Sequence, residues 1–385
     1  MRITHLQTLC LSRPHEPERQ WFTARYRTVK ADCAIVIVET DEGLRGIGEA
    51  CAYGVPPKIR QEVARLAPLL RGRDPLDPTV NPRPVGGNPP FDTAVAGIDA
   101  ALWDIRGKVA GKRVAELLAA PGQTPLTRVR LYASSGCRYD WENRPESVVE
   151  EALGYAEEGY TAYKMRLGTE WSWAGVTVER FLDLMQQVVE AVGDRMEVMV
   201  DGNQRLSFEE ALTLARGLEA LGCAWFEEPI PQADLEGYAR LNEAVALPIT
   251  GGEQFTTVEQ FEPYFARRAY ALVQADGGWC GLTEGMRIAR RAWEFGVGMC
   301  PHNWHNGLMT LANAHLVAAL PQPKVLELNM IQGPLQWEIL REPPVIREGY
   351  LELPPAPGLG AELAEDLEER FPYREGPYGV PMERG

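Results

Sequence analysis

Short apolar runs alternate with longer amphipathic stretches from about residue 128 to residue 329. The runs are rich in residues that favour strands, and the stretches between them carry apolar residues at helical spacing. The pattern predicts a strand followed by a helix, repeated along this region. The eight runs are VRLYASS (129–135), TAYKMR (161–166), EVMVD (197–201), AWFEE (224–228), PITGGE (248–253), ALVQAD (271–276), GVGMCPH (296–302) and VLELN (325–329).

Eight strand–helix units over roughly 200 residues are typical of a (β/α)8 barrel of the TIM type. An open doubly wound sheet would place a glycine-rich phosphate loop after an early strand, and the chain contains neither GxGxxG nor GxxxxGK[ST]. Ser207, with Glu210 three residues later, forms a capping-box pattern ahead of one predicted helix. We therefore predict an α/β protein with a barrel domain over residues 126–330.

The segments on either side of the barrel have different patterns. Residues 1–125 are predicted to form an α+β capping domain with a polar loop over 11–27, two strands within 32–50 joined by a turn at 41–43, and one long helix over 93–119. The C-terminal segment, 331–385, contains VIREGYLELPPAPGLG (345–360), which indicates a strand, a turn and a Pro-rich loop. We expect this segment to return to the capping domain.

Composition narrows the class of ligand. The formal net charge of −15 disfavours nucleic acid and anionic membranes as partners, because the chain has no basic excess to neutralise phosphates. A small-molecule ligand is expected, and an anionic one would need a metal or a few basic side chains to attract it. The seven cysteines show no CxxC spacing, and the N-terminus lacks the apolar run of a signal peptide, so we expect a cytoplasmic protein with reduced thiols.

Acidic residues stand at the ends of three consecutive predicted strands. Asp201, Glu227 and Glu253 follow one another at intervals of 26 residues. The C-terminal ends of barrel strands form the active face, so these carboxylates should converge. A single acid at such a position is more often a solvated loop residue or a helix cap, but three converging acids would repel one another unless a cation lay between them. Oxygen ligands without Cys or His favour Mg²⁺.

Other strand ends also carry reactive side chains. Lys164 and Arg166 lie on one face of the second strand and should point into the barrel mouth. Asp276 and His302 end neighbouring strands, where the carboxylate can orient the imidazole and raise its basicity. Glu327 ends the last strand. We expect three further residues, Glu228, His305 and His315, to support their neighbours rather than react.

Seven ordered motifs resemble the enolase superfamily, in its mandelate racemase subgroup. They are YKMR (163–166), VDGN (200–203), FEEP (226–229), GGEQ (251–254), QADGG (274–278), PHNW (301–304) and LELN (326–329), and AALWDIRGK (100–108) and PPAPGLG (354–360) are also similar to that family. The resemblance covers nearly the whole chain. It implies a modified, enolase-like barrel in which Asp201, Glu227 and Glu253 bind Mg²⁺, with Asn203 close to the metal.

The resemblance also implies the chemistry of the site. The metal would hold a substrate carboxylate, Lys164 would stabilise the ene-diolate formed when the α-proton leaves, and Glu327 would donate a hydrogen bond to the other carboxylate oxygen. One residue departs from the subgroup's usual Lys-x-Lys, because Arg166 takes the place of the second lysine. Arg stays protonated at neutral pH and is a poor base.

This departure favours β-elimination. A racemase needs a base on each side of the α-carbon, whereas His302 alone can remove the α-proton and then protonate the departing β-hydroxyl. We therefore expect an acid-sugar dehydratase, a hydro-lyase that yields a 2-keto-3-deoxy acid. A racemase or epimerase of a 2-hydroxy acid is one alternative, and a catalytically silent barrel that serves as a binding or scaffold protein is another. Muconate-type cycloisomerisation and amidohydrolase chemistry are disfavoured, because the expected Lys and HxH are missing.

Substrate specificity is expected to come from loops of the first domain. Loops 14–26 and 49–56 resemble the family's lid over the barrel mouth. The candidate substrate contacts are Arg13, Trp21, Arg25, Tyr53 and Asn203. The identity of the acid sugar is left open, and the resemblance implies a homo-oligomer, either a dimer or an octamer.

Overall fold

The computed structural model describes residues 1–23, 26–53, 55–137, 144–167, 177–323, 325–331 and 333–381. In the N-terminal part, three long strands form an antiparallel sheet in the order β1–β4–β5: β1 (Ile3–Pro14), β4 (Lys30–Thr40) and β5 (Arg45–Ala50). The hairpin between β4 and β5 turns at Asp41 to Gly43, as predicted. Arg25 lies outside the described residues.

Three helices complete the N-terminal part: α1 (Pro56–Leu70), α2 (Pro89–Ala110) and α3 (Val114–Leu118). The prediction of one helix over 93–119 is wrong, because α2 ends at Gly111, which adopts a left-handed φ of 63° that favours glycine. Helix α2 packs closely on β5. A Cβ at Gly48 would lie 2.2 Å from the Gly97 carbonyl oxygen, so only glycine allows this approach.

The predicted polar loop over 11–27 contains more regular structure than its composition indicated. Strand β1 extends to Pro14, a 3-10 turn follows at Pro17–Arg19, and two short strands come next, β2 (Trp21–Phe22) and β3 (Tyr26–Thr28). Strand β3 pairs with β2 and with β16 (Gly379–Pro381), from the far end of the described chain. A pairing across more than 350 residues leaves no periodic signal in the local sequence, which is why the prediction failed here.

The central part is a (β/α)8 barrel, as predicted. All eight predicted runs contain a strand, although four of the strands have only two or three residues. The strands are β6 (Arg128–Ser135), β7 (Ala162–Arg166), β8 (Glu197–Asp201), β9 (Phe226–Glu227), β10 (Ile249–Gly251), β11 (Leu272–Val273), β12 (Gly298–Met299) and β13 (Leu326–Asn329). They pair in parallel in the order β12–β11–β10–β9–β8–β7–β6, and β13 pairs with the other edge of β6.

Seven helices in the described part of the chain cover the outside of the barrel, and all but the last of them, which is buried along its whole length, have an exposed face. They are α4 (Ser147–Glu157), α5 (Val178–Val192), α6 (Phe208–Ala220), α7 (Leu235–Ala244), α8 (Val258–Ala266), α9 (Gly277–Glu294) and α10 (Gly307–Ala318), and 3-10 turns occur at Pro78–Val80 and Gly193–Arg195. The capping box predicted for α6 is present, since Ser207 and Glu210 exchange side-chain and backbone hydrogen bonds. In the described residues, no helix is both long and apolar enough to span a membrane.

The C-terminal segment contacts both parts of the protein. Strands β14 (Ile346–Arg347) and β15 (Tyr350–Glu352) form a hairpin, and β15 pairs antiparallel with barrel strand β6, so the predicted strand of this segment contacts the barrel. The Pro-rich loop reaches the first domain, where Leu359 N–H donates to Asp104 at 2.8 Å. The segment also contains two short helices: α11 (Pro334–Trp337) precedes the hairpin, and α12 (Leu367–Arg370) follows the Pro-rich loop. The domain boundaries at 125 and 330 stay a prediction.

Candidate active site

The C-terminal ends of the barrel strands bring the predicted reactive side chains together. Lys164 and Arg166 lie on one face of β7, and the register places Arg166 opposite Asp201 on β8. Asp201 in turn lies opposite Glu227 on β9. All four side chains are buried. The parallel register therefore sets these charged groups side by side at one end of the barrel.

Each of the three acids in the predicted metal triad is paired with a basic side chain. Lys164 Nζ donates to both carboxylate oxygens of Glu227, at 2.7 and 2.8 Å. Arg166 Nε donates to Asp201 Oδ2 at 2.9 Å. Glu253 Oε2 lies 3.5 Å from His302 Nε2. The bases thus partly neutralise the acids that the sequence assigned to a metal.

The donor chemistry of the triad fits a hard divalent cation. Carboxylate oxygens from three adjacent strands are the ligands that Mg²⁺ prefers. Burial raises the pKa of Glu227 to about 7; Lys164 opposes this shift, and Asp201 and Glu253 add to it. A divalent cation bound to this carboxylate would favour its ionised form and oppose the effect of burial.

The ligand atoms of Asp201, Glu227 and Glu253 do not all lie within 4.8 Å of one another. Within the described ranges, the only three acid, His or Cys side chains whose ligand atoms lie within 4.8 Å of one another are Asp276, His302 and His305. The assignment of Asp201, Glu227 and Glu253 to Mg²⁺ therefore stays a prediction, supported by strand placement and donor type.

Asp276 and His302 form the predicted dyad. His302 Nδ1 lies 2.7 Å from Asp276 Oδ2, and both side chains are buried. Asp276 caps helix α9, where its Oδ1 accepts from Gly278 N–H at 2.7 Å. Burial alone would raise the pKa of Asp276, but the two neighbouring imidazoles, those of His305 and His302, outweigh it and hold that pKa below its usual range. The carboxylate is therefore ionised and can hold the His302 imidazole in place.

The charges around His302 raise its basicity. Burial lowers the pKa of this imidazole, and the carboxylates of Glu253, Glu327 and Asp276 together raise it to about 10. A metal cation close to Glu253 would oppose that rise, because it would cancel the first of these contributions. Nε2 faces Glu253 and Glu327, so this is the nitrogen on the side of the barrel mouth.

Lys164 and Glu327 form the other half of the site. Lys164 Nζ lies 2.9 Å from Glu327 Oε1 and 5.4 Å from the centre of the Tyr132 ring. Burial lowers the pKa of Lys164, but the Glu227 and Glu327 carboxylates outweigh it and raise the pKa above its usual range. Burial would raise the pKa of Glu327, and Lys164 and His302 bring it down to about 2. Glu327 is thus ionised here, and the donor role expected of it requires a proton that it does not carry.

Arg166 is fixed between acid and aromatic groups. Besides the contact with Asp201, its guanidinium lies 5.1 Å from the centre of the Trp304 ring and 5.9 Å from that of Trp21. Burial would lower its pKa, and the Asp201 carboxylate outweighs this effect and raises it. The structure therefore supports the expectation that Arg166 is a permanent cation and a poor base.

A pocket of about 320 Å³ opens beside His302 and Arg166. Three of the expected substrate contacts, Trp21, Tyr53 and Asn203, line it. The structure does not bring Arg13 to this pocket, because Arg13 pairs with Glu16 and lines a separate surface groove. Sequence reasoning missed most of the remaining lining, which comes from Thr23, Tyr26, Gln204, Gln254, Trp279, Trp304 and Tyr378.

The residues expected to support the site do so in different ways. Glu228 accepts a 2.7 Å hydrogen bond from Gln204. His315, in contrast, lies away from the barrel mouth, where its Nδ1 accepts from Ala115 N–H at 3.2 Å and its Nε2 lies 3.2 Å from the Leu359 carbonyl oxygen. His305 contacts the dyad itself, since its Nε2 lies 2.6 Å from Asp276 Oδ2. No signal in the sequence pattern distinguished His305 from His315.

The fold and the site define a capped (β/α)8 barrel with a strand-end centre of acids and bases. Residues 147–367 match the family described as enolase C-terminal domain-like, and residues 7–119 match the N-terminal domain of mandelate racemase and muconate lactonizing enzyme. The chain belongs to the enolase superfamily, in the mandelate racemase subgroup, as the resemblance in the sequence implied.

Named relatives share most of their length with this chain. It is 32% identical to the arabinonate dehydratase of Saccharolobus solfataricus, covering 87% of this chain and 89% of that protein. It is 30% identical to the D-galactarolactone cycloisomerase of Agrobacterium fabrum, and the match covers 96% of this chain and 99% of that protein. Among solved structures, the 3,6-anhydro-D-galactonate cycloisomerase from Zobellia galactanivorans superposes with a TM-score of 0.82 at 29% identity, covering 96% of this chain and 99% of that one.

Proposed function

We propose that this protein is an acid-sugar dehydratase that removes the α-proton next to a carboxylate and eliminates the β-hydroxyl, giving a 2-keto-3-deoxy acid. The observation that carries the proposal is the asymmetry of the base groups. His302, oriented by Asp276 at 2.7 Å, becomes a competent base when a cation beside Glu253 opposes the rise of its pKa, whereas Arg166 is a cation held by Asp201 in either case. Elimination needs one base, and racemisation needs two.

The triad is proposed to hold Mg²⁺ through Asp201, Glu227 and Glu253. When bound, the metal would supply a Lewis acid for the substrate carboxylate and its developing negative charge. The buried ammonium of Lys164 would contribute a second positive charge to the same anion. Because Lys164 now pairs with Glu227, we infer that this pair loosens when substrate and metal are present.

Proton transfer is assigned to His302. Its Nε2 would accept the α-proton, and the ionised Asp276 would stabilise the resulting imidazolium through Nδ1. The same Nε2–H could then protonate the β-hydroxyl as it leaves as water. Glu327 is proposed to contact the second carboxylate oxygen of the substrate, which requires it to gain a proton as that anion enters. Repulsion between the substrate carboxylate and the Glu327 carboxylate would raise the pKa of Glu327 above its value without substrate.

A cycloisomerase is the second candidate function. The chain spans 99% of the D-galactarolactone cycloisomerase of Agrobacterium fabrum and 99% of the solved Zobellia galactanivorans cycloisomerase, more than of the arabinonate dehydratase. Such a reaction would again begin with His302 and the α-proton, but the group leaving the β-carbon would be a ring oxygen. The product would then keep the mass of the substrate.

A substrate screen tests both functions. The enzyme with Mg²⁺ is incubated with a library of mono- and diacid sugars and their lactones, and the masses of the products are measured by mass spectrometry. Loss of one water with formation of a 2-keto group supports the dehydratase, and conversion at constant mass supports the cycloisomerase. His302→Asn is the control, because it removes the base. Silence of the wild type across the library, or equal turnover by His302→Asn, contradicts the proposal.

We further propose that the natural partner is a small acid sugar rather than a macromolecule, and that the protein is cytoplasmic and forms a homodimer or octamer. The net charge of −15 supports the absence of nucleic acid and membrane partners. The dehydratases and cycloisomerases that it resembles act, by their names, on small sugar acids and lactones. Light scattering of the purified protein would separate the two oligomeric states.

A further inference from the structure

Asp276 is shared by two imidazoles. Its Oδ2 lies 2.7 Å from His302 Nδ1 and 2.6 Å from His305 Nε2, and all three side chains are buried. We propose that Asp276, His302 and His305 form a second metal site, selective for a nitrogen-preferring ion such as Zn²⁺, and that an ion bound there stops His302 from acting as a base. The binding part stands alone, and the inhibitory part rests on the proposed function.

The ligand set separates this site from the predicted Mg²⁺ site. Two imidazoles and one carboxylate are a common catalytic zinc ligand set, whereas Mg²⁺ prefers oxygen ligands. The three ligand atoms already lie within 4.8 Å of one another, which is not so for the acid triad. Glu253 and Glu327 lie on the far side of His302, at 3.5 and 4.0 Å from its Nε2, and add negative charge that favours a cation.

Only a small movement is needed to admit the ion. Bond lengths of about 2.0–2.2 Å to N and O ligands separate neighbouring ligand atoms of a tetrahedral zinc by roughly 3.3 Å. His302 and His305, now 2.7 and 2.6 Å from Asp276 Oδ2, would therefore each shift outward by a fraction of an ångström. Its present place depends on Gly278, because a Cβ there would lie 2.7 Å from His305 Nε2. A substitution at Gly278 would thus displace His305 while all three ligand side chains stay present.

An ion bound to Nδ1 of His302 would change which ring nitrogen carries the proton, and this would stop His302 from acting as a base. In the neutral form of His302 that acts as a base, Nδ1 carries the proton donated to Asp276, and Nε2 keeps the lone pair that accepts the substrate proton. An ion on Nδ1 takes the lone pair of that nitrogen, so the single ring proton moves to Nε2. His305 undergoes the opposite change, from Nε2–H to Nδ1–H. From two neutral imidazoles no proton is lost, and a protonated His302 releases its Nδ1 proton to solvent when the ion binds; in both cases His302 no longer has an acceptor facing the pocket.

Calorimetry tests the binding directly. Zn²⁺ is titrated into metal-stripped protein that has been reloaded with saturating Mg²⁺. We expect wild type to bind one Zn²⁺, His305→Gln to bind it at least about tenfold more weakly, and Gly278→Ala to weaken it as well. His5→Gln is the matched control, because His5 is exposed on β1, and it should bind as wild type does. Melting temperatures establish that each variant is folded.

The activity arm uses any substrate found in the screen. Zn²⁺ should inhibit wild type at saturating Mg²⁺, and inhibition of His305→Gln, relative to its own uninhibited rate, should need at least about tenfold more Zn²⁺. If no sugar acid is turned over, the proposed function fails while the calorimetric result still decides the site. Equal Zn²⁺ affinity in wild type and His305→Gln, or Zn²⁺ binding that disappears as Mg²⁺ rises, would overturn the proposal.

Discussion

The charge balance at the barrel mouth makes Lys164 a sharp test. Its ammonium lies 2.7 and 2.8 Å from the Glu227 oxygens and 2.9 Å from a Glu327 oxygen, and all three side chains are at most 1% exposed. Lys164→Met removes the charge at similar volume and leaves two buried carboxylates without their shared partner. Breaking a buried ion pair from one side costs about 3–5 kcal/mol.

The assay is thermal unfolding with and without Mg²⁺. For a chain of this size, about 1.2 °C in Tm corresponds to each kcal/mol, so metal-free Lys164→Met should melt roughly 4–6 °C below wild type. Mg²⁺ should raise the Tm of Lys164→Met more than that of wild type. The reason is that the ion then meets an unpaired Glu227 and no longer faces the repulsion of a nearby ammonium.

Two variants serve as controls for this experiment. Lys58→Met changes an exposed lysine on α1 and should leave the free energy of unfolding within about 0.5 kcal/mol of wild type. Asp201→Asn should reduce the Mg²⁺-induced rise in Tm, because it removes a proposed ligand. The reasoning is refuted if metal-free Lys164→Met melts no lower than Lys58→Met. A Mg²⁺ effect smaller in Lys164→Met than in wild type would exclude Glu227 as a ligand.

Three other predictions concern protons. In D₂O, substrate recovered from wild type should keep its configuration at the α-carbon. Loss of that configuration, measured by NMR, would show a second base. Arg166→Lys places a titratable amine at position 166 and should cause such loss. Asp276→Asn should lower kcat by about 10²–10⁴-fold in steady-state assays, since the imidazole loses its orienting carboxylate, and an unchanged kcat would contradict the dyad. Burial lowers the pKa of His315 to about 4, so the folded protein keeps this imidazole neutral. The unfolded chain takes up a proton there as pH falls below about 6.5. The stability that neutral His315 contributes is therefore present above pH 6.5 and is lost as pH falls toward 4. His315→Gln should therefore show a smaller fall in Tm between pH 7 and pH 5 than wild type.

The barrel and its strand-end residues could be predicted because both follow from local periodicity. An apolar run of period two that ends in a charged residue fixes the strand and the end at which that residue stands. The contact between Arg166 and Asp201 then follows from the parallel register of β7 and β8. This explains why the residues collected at the barrel mouth, such as Lys164 and His302, were found from the chain alone.

Other parts depend on contacts that no local pattern records. Strand β16 pairs with β3 near the opposite end of the chain, and this brings Tyr378 into the pocket. The β14–β15 hairpin pairs with β6, more than 200 residues earlier in the chain. His305 reaches Asp276 only because Gly278 has no side chain. Each of these features is set by a distant partner, so spacing could not reveal it.

The pairing of acids and bases also explains why the triad was easier to predict than its geometry. Three converging carboxylates need a positive charge close by, and the sequence pattern predicts a cation in that place. The chain contains its own compensation in Lys164, Arg166 and His302, each within hydrogen-bonding or ion-pair distance of one acid. A divalent cation would compete with these three groups for the same oxygens, and each group it released would be free to face an incoming carboxylate. Metal binding and the readiness of Lys164 and His302 for an anionic substrate are therefore expected to rise together, and a mouth with the same acids but without those bases would bind the ion more tightly and the substrate less well.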